Sequence, residues 1–285
     1  MNHKEIWTTL KILTWTREFL GRKGIINARL EAEWILCAAT GLDRVGLYLN
    51  YDKPLNEVEL ASFREMVSRR ARREPLQHIL GTQEFCGADF TVSPAVLIPR
   101  HDTETLVHEA VNRMPQAESI LDIGTGSGCI AITLAKLMPN ARVTAVDISE
   151  PALQVAKENA ARHQVHIDFR LGSLFDPVAE QTFDLIVSNP PYIPSDEIKM
   201  LEPEVSSGDP LTALDGGIDG LEFYRSIIPA AIHHLTPHGW LLLEVGAGQA
   251  TEIRNIFINN SAYDIPVTAV DNCGIERVVG AMRKD

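Results

Sequence analysis

No run of about 18 apolar residues occurs anywhere in the 285-residue chain, so no membrane-spanning helix is expected. The opening Met1-Asn2-His3-Lys4-Glu5 has no apolar core of the kind a secretion signal needs. Cys37, Cys86, Cys129 and Cys273 form no Cys-x-x-Cys pair, and the histidines show no metal-ligand spacing, so no zinc site is expected. Scattered thiols of this kind read as reduced and mostly buried, in a cytoplasmic protein. No segment repeats another. The remainder is ordinary for a soluble globular protein, with 45% hydrophobic and 22% charged residues. The length suits two domains, or one large domain with an appendage.

Basic residues are scarce as well, and unevenly so. The formal net charge is −12. Residues 1–81 carry 13 Lys and Arg against 10 Asp and Glu, and the remaining residues carry 13 against 28. A half that acidic is a poor match for prolonged contact with bare nucleic acid, so no stable nucleic-acid binding is expected. A protein partner or a small substrate is easier to accommodate. The basic run Arg69-Arg70-Ala71-Arg72-Arg73 has two readings, an RNA or protein docking patch or a solvated helix end. The second is favoured, because charge runs are so often merely solvated.

Residues 4–73 read as helices. Asn27 and Asn56 stand where N-caps are needed, ahead of apolar faces carrying Leu30, Trp34 and Cys37 and then Leu60, Phe63, Met66 and Val67. Residues 78–98 change character, and two short strand-like runs around Gly87-Ala88-Asp89 predict a β-hairpin linker. Asp102 or Thr103 is expected to cap a helix ending near Met114. From residue 119 strands and helices alternate: strands at 119–123, 142–146, 166–171, 183–188 and 240–245, with helices at 128–138, 150–163, 220–235 and 248–259. Two last strands, at 264–270 and 275–282, are expected to pair as a hairpin. That order predicts a doubly wound α/β sheet with an antiparallel edge. The expected division is a helical domain at 1–75, a hairpin linker at 76–98 and the α/β domain at 99–285. The segment 193–219, rich in Pro, Gly and Asp, shows no clear periodicity; a loop of that length is usually functional or disordered.

Two stretches carry chemistry. The first is Val187-Ser188-Asn189-Pro190-Pro191-Tyr192, which follows the apolar run 183–187. Asn189 therefore falls at the carboxyl end of a buried strand, where ligand chemistry gathers in open α/β sheets. The prolines stop the sheet ladder and stiffen the backbone around one carboxamide, one carbonyl and one aromatic ring. A planar amide or amine could donate its N–H bonds to the Asn189 side-chain oxygen and the Pro190 carbonyl, with Tyr192 against its face. Asn-Pro alone is also a common turn signal, so the assignment leans on a second motif.

That second motif is Asp122-Ile123-Gly124-Thr125-Gly126-Ser127-Gly128, between a strand and a helix. Its glycines permit a tight turn and a close approach of backbone N–H groups to a ligand. Asp147, 19 residues after Gly128 and at the end of the next strand, can accept both hydroxyls of a ribose. A dinucleotide fingerprint would have its third glycine at position 129, which is Cys129, so a nicotinamide-dependent oxidoreductase is disfavoured. The Asp-x-Gly-x-Gly-x-Gly pattern looks instead like motif I of S-adenosylmethionine-dependent methyltransferases.

Together with the Asn-Pro-Pro-Tyr tetrad, it resembles the amino-methyltransferases that act on planar nitrogens: DNA adenine-N6 methyltransferases and the HemK/PrmC family, the release-factor glutamine methyltransferases. Further blocks are similar to the second. They are Pro75 to Gly81 with Glu84-Phe85, Leu97-Ile98-Pro99-Arg100 with Asp102-Thr103-Glu104, Leu211 to Leu221 with Tyr224-Arg225, and Gly274 to Val279. His101 and Asp209 depart from the family pattern. His101 is more naturally a capping or exposed residue than a base.

The resemblance implies a seven-stranded Rossmann-like methyltransferase sheet behind a helical substrate-recognition domain. It implies S-adenosylmethionine as methyl donor, bound by Gly124, Thr125, Gly126, Ser127, Gly128, Asp147, Leu174 and Asn189. It also implies the glutamine of the Gly-Gly-Gln loop of class-1 peptide chain release factors as acceptor, held by Asn189, Pro190, Pro191 and Tyr192. A non-enzymatic binding module on the same fold stays open at this point, as does a nucleic-acid adenine methyltransferase.

Overall fold

A computed structural model describes residues 7–285. The chain divides at Gly81 into two compact units.

The first is helical: Thr9–Arg22, Ala28–Thr40, Arg44–Leu49, Glu57–Ala71 and Leu76–Leu80. Ile12, Leu20, Ile35, Leu36, Phe63 and Val67 meet in its core. Asn56 caps its helix as expected, completing a capping box with Glu59. Asn27 does not cap: at φ −94°, ψ 34° it lacks the extended backbone from which a side-chain oxygen reaches back to the first turn. The basic run is not simply solvated. Arg70 is buried against Glu31, Arg69 pairs with Glu74, and Arg73 donates to the Gly24 carbonyl at 3.1 Å. The charges therefore tie the helical unit together.

The second unit begins with an antiparallel hairpin, β1 (Thr82–Phe85) and β2 (Ala88–Thr91). Phe85 and Phe90 are fully buried in the same core as Leu106 and Ile120, so the hairpin belongs to this unit. The main sheet has seven strands: β3 (Ser119–Ile123), β4 (Arg142–Asp147), β5 (Asp168–Leu171), β6 (Phe183–Ser188), β7 (Leu235–Glu244), β8 (Val267–Val270) and β9 (Glu276–Met282). Their order is β5-β4-β3-β6-β7-β9-β8. The first five are parallel, and β9 runs antiparallel to both β7 and β8, giving the expected edge hairpin. Strands such as β4 and β6 are buried along most of their length because apolar clusters cover both faces.

The chain moves outward from β3 through β4 to β5, then returns to place β6 on the other side of β3. This reversal opens a crevice at the carboxyl ends of β3 and β6.

The largest shift of an expected boundary falls before β7, while the expected strands at 166–171 and 264–270 begin two and three residues later, at Asp168 and Val267. The helix foreseen at 220–235 is Glu222–Ala231, and Leu235 already belongs to β7. Ile227, Ile228, Ala231 and Leu235 are all fully buried, so apolar spacing runs on without a break from helix into strand. The chain bulges between Leu235, opposite Phe183, and Trp240, opposite Leu185. The 193–219 segment forms short helical turns, Ile198–Met200, Pro203–Gly208 and Leu211–Leu214.

Candidate active site

A cleft of about 660 Å³ opens at the reversal point. From the β3–β4 side it is lined by Gly124, Gly126, Asp147 and Leu174, and from the β6 side by Asn189, Pro190 and Pro191. Ile218 and Leu211 of the 193–219 segment complete a wall.

The glycine loop is held by its own neighbourhood. Gly124 and Thr125 donate to the Val146 carbonyl at 2.8 and 3.0 Å, Gly128 donates to the Thr125 carbonyl, and Gly126 donates to Asp147 Oδ2 at 2.8 Å. The sequence suggested that these N–H groups would meet a ligand; they are already committed within the fold. What the loop offers a ligand is room. A Cβ built on Gly124 or Gly126, at φ +72° and +55°, meets nothing within 4 Å. Gly128 has a different task, since a Cβ there would sit 3.1 Å from that of Ala156, where two helices pack. Thr125 and Ser127 are buried and do not face the cleft. The Thr125 hydroxyl donates to Asp122 Oδ2 at 2.7 Å, and Asn159 Nδ2 donates to the Ser127 carbonyl at 2.9 Å. Burial pushes the Asp122 carboxyl up to about 7, and the Thr125 hydrogen bond works against that rise.

Asp147 faces the cleft from the end of β4. Its Oδ2 accepts from Gly126 and its Oδ1 from the Ser149 N–H at 2.9 Å. A carboxylate offers about four acceptor positions, so two bonds leave capacity for a ligand's hydroxyls. An acceptor without a competing anion-binding N–H nest, next to open glycine backbone, fits a cofactor that has a ribose diol and no pyrophosphate. Leu174 is half-buried at φ +46° and contributes apolar surface.

On the opposite side, Asn189 follows β6 and its Nδ2 donates to Thr103 Oγ1 at 3.2 Å. The 101–104 segment thus differs from expectation. Thr103 caps nothing, because its own backbone is already helical in a 3-10 turn at His101–Thr103 that leads into the helix Glu104–Arg113. Asp102 instead pairs with Arg277 at 2.6 Å. His101 lies exposed beside Glu104. Asp209 is buried, accepting from the Ile98 N–H and from Arg100, so it fastens the 193–219 segment to the stretch before the helix.

The half-buried Tyr192 ring packs against the core cluster that includes Leu243 and Val245, and the residue's carbonyl accepts from Gln249 Nε2 at 2.9 Å. Burial pushes its phenol up to about 12. Gly216 lets the following loop sit on this turn: a Cβ there would lie 2.8 Å from the Pro191 carbonyl oxygen.

Sequence reasoning missed Glu244 and the use made of Thr103. Glu244 is the last residue of β7, is 1% exposed, and its carboxylate is engaged by the Thr103 hydroxyl and the Asn189 carboxamide. The only signal was a charged residue directly after the apolar run Trp240-Leu241-Leu242-Leu243.

Comparison with known proteins agrees with this architecture. Residues 11–81 match the PrmC N-terminal domain, and residues 101–201 match the methyltransferase small domain. At 15% identity the fold alone is shared with the catalytic domain of hMettl16 solved with an MAT2A 3'UTR hairpin, at a TM-score of 0.57 over 78% of this chain and 83% of that one. The matched domain and the relatives below set the class: the chain is a methyltransferase.

Its relatives are more specific. It is 58% identical over 276 residues to the release factor glutamine methyltransferase of Geobacter sulfurreducens, covering 97% of each chain. It is 41% identical over 256 residues to that of Koribacter versatilis, covering 89% of this chain and 90% of the relative. The chain belongs to the HemK/PrmC family of release factor glutamine methyltransferases.

Proposed function

We propose that this chain methylates the side-chain amide nitrogen, N5, of the glutamine in the Gly-Gly-Gln loop of class-1 peptide chain release factors. The observation that carries the assignment of roles is the setting of Asn189. Its carboxamide lines the cleft while Nδ2 is tied back to Thr103, which leaves Oδ1 as its acceptor for an incoming NH₂ group.

A glutamine amide nitrogen is a poor nucleophile because its lone pair is delocalised into the carbonyl. No side chain basic enough to deprotonate it at neutral pH is needed if the nitrogen is aimed well. Asn189 Oδ1 and the Pro190 carbonyl accept its two N–H bonds and hold it in one orientation. Positioning of this kind supplies several kcal/mol, up to about 7–11 in the best intramolecular cases. S-adenosylmethionine, when bound, supplies an activated methyl group on a sulfonium sulfur. The Gly124 and Gly126 backbone would accommodate it, Asp147 would accept from its ribose and Leu174 would give an apolar contact. The proton lost from nitrogen goes to water.

Selectivity comes from the same acceptors. A side chain without NH₂ leaves them buried and unpaired, which costs about 1–3 kcal/mol. The tetrad's prolines keep both oxygens in place, and Tyr192 anchors the turn that carries them. The helical unit is assigned to recognition of the factor away from the reacting glutamine. Four free cysteines support a reducing compartment, the cytoplasm, where translation ends.

The test is mass spectrometry of a purified release factor after incubation with this protein and S-adenosylmethionine. One added methyl on the loop glutamine is expected; an unmodified glutamine with methyl transfer elsewhere refutes the assignment.

A further inference from the structure

Asn189 has a neighbour that the reading above leaves without a task. The register pairs Leu243 with Ser188, so Glu244 comes to lie beside Asn189 at the ends of β7 and β6. The Glu244 side chain is buried, and its Oε2 has no hydrogen-bond partner. A carboxylate in such a place needs a reason, because desolvating it is costly.

A carboxamide has two ends of nearly equal shape, one donating and one accepting, and turning it over exchanges them. The Thr103 hydroxyl cannot choose between them, since it both donates and accepts. An ionised carboxylate can choose, because it only accepts. We propose that Glu244 is a positioning residue: its buried carboxylate, with the Thr103 hydroxyl, holds Asn189 with Nδ2 turned inward, so that Oδ1 is the end presented to a substrate NH₂ group. This rests on the reading of Asn189 as the acceptor for the substrate amide. In the lock Asn189 Nδ2 donates to Thr103 Oγ1 at 3.2 Å, and the Thr103 hydroxyl and the Asn189 carboxamide both favour the charged form of the Glu244 carboxyl beside them.

The lock is sensitive to protonation. A protonated Glu244 can itself donate, so it no longer rejects the turned-over amide. Burial pushes the Glu244 carboxyl up to about 7; the Thr103 hydroxyl, Arg277 and Asn189 oppose the rise, and Asp102 adds to it. The charged and titratable groups that face Glu244 come from several elements. Asp102 comes from the 101–103 turn, and Arg277 from β9, where it is paired with Asp102 and Asp271. Tyr192 follows β6, and Tyr224 comes from the helix Glu222–Ala231, its hydroxyl donating to the Glu244 carbonyl at 2.8 Å. Both tyrosines are pushed further from ionisation by burial and by Glu244, so they stay neutral while Glu244 titrates. The lock therefore closes as pH rises through neutrality.

Two readouts test this on the full-length protein. The first is the NMR signal of the Asn189 side-chain NH₂, identified by its loss in Asn189→Ala. It should shift with a midpoint near neutral pH in the wild type and lose that titration in Glu244→Gln. The second is kcat on release factor at saturating S-adenosylmethionine. Wild-type kcat should rise with pH through neutrality. Glu244→Gln should flatten the profile and lower kcat at pH 8 by about tenfold to a hundredfold, as expected for loss of a hydrogen bond to a charged group, with cofactor affinity unchanged. Thr103→Ser should keep most of kcat and Thr103→Val should not.

An Asn189 signal indifferent to pH overturns the proposal. So does an acid limb that survives in Glu244→Gln, which would assign it to Asp122 on the glycine-loop side. The NMR readout needs no substrate. If Asn189 titrates normally while no release factor is methylated, the lock stands and the assigned substrate falls.

Discussion

The two flanks of the cleft are built in opposite ways. On the β3–β4 flank, backbone holds backbone: a loop folds on the carbonyl of Val146 and the carboxylate of Asp147, and what is left over is space beside Gly124 and Gly126. On the β6–β7 flank, side chains hold a side chain. Asn189 donates to Thr103, nearly ninety positions earlier in the chain, and lies beside Glu244, more than fifty later. The first flank receives a ligand by making room for it. The second aims one oxygen at a reacting nitrogen. A cofactor common to many reactions can be met by a local loop; a demanding acceptor needs groups gathered from distant stretches.

The sharpest way to break this comparison is Asn189→Ala. Turnover on release factor should fall by roughly 10²–10³, the scale of losing one preorganised hydrogen-bond partner, while calorimetry shows S-adenosylmethionine affinity little changed. A large loss of cofactor affinity would mean that the flanks are not separate in function. Asp147→Ala is the counterpart on the other side. Cofactor affinity should weaken by about tenfold to a hundredfold, since a charged acceptor is lost and the Gly126 and Ser149 N–H groups are released together. Unchanged affinity would remove the ribose assignment.

Glycine substitutions sharpen the division within the loop itself. Gly128→Ala places a side chain at φ +81° and against Ala156, so it should cost about 1–3 kcal/mol of stability, read as a lower thermal midpoint. Gly124→Ala, at φ +72° but facing open space, should hurt cofactor affinity more than Gly128→Ala does. The reverse order would contradict the separation of room from packing. The smallest effect is expected from Tyr192→Phe. The ring packs on the core and the carbonyl carries the bond to Gln249, so stability should stay within about 0.5 kcal/mol and turnover within a small factor.

These flanks also differ in how far they could be read in advance. The position of Gly124 to Gly128 after a first strand, of Asp147 after a second and of Asn189 after a fourth followed from apolar runs and punctuating residues. The structure puts each at the carboxyl end of its strand. The edge hairpin of β8 and β9 was equally visible. The helix end at Ala231 was not, because Leu235 continues the same apolar spacing although it already lies in β7. Asn27 and Thr103 looked alike as candidate caps. A cap depends on the dihedral angles its neighbours allow, which residue type does not reveal.

By itself, the sequence determined the order of strands and helices in the α/β unit and which residues stand at the carboxyl ends of β3, β4 and β6, because apolar runs and proline and glycine act over a few residues. Only the tertiary structure decided that Tyr192 packs against the core, that the N–H groups of Gly124, Thr125, Gly126 and Gly128 are consumed internally, and that Thr103, Asn189 and Glu244 converge. Those outcomes depend on the order of strands across the sheet, which sets neighbours far apart in the chain and carries no local mark.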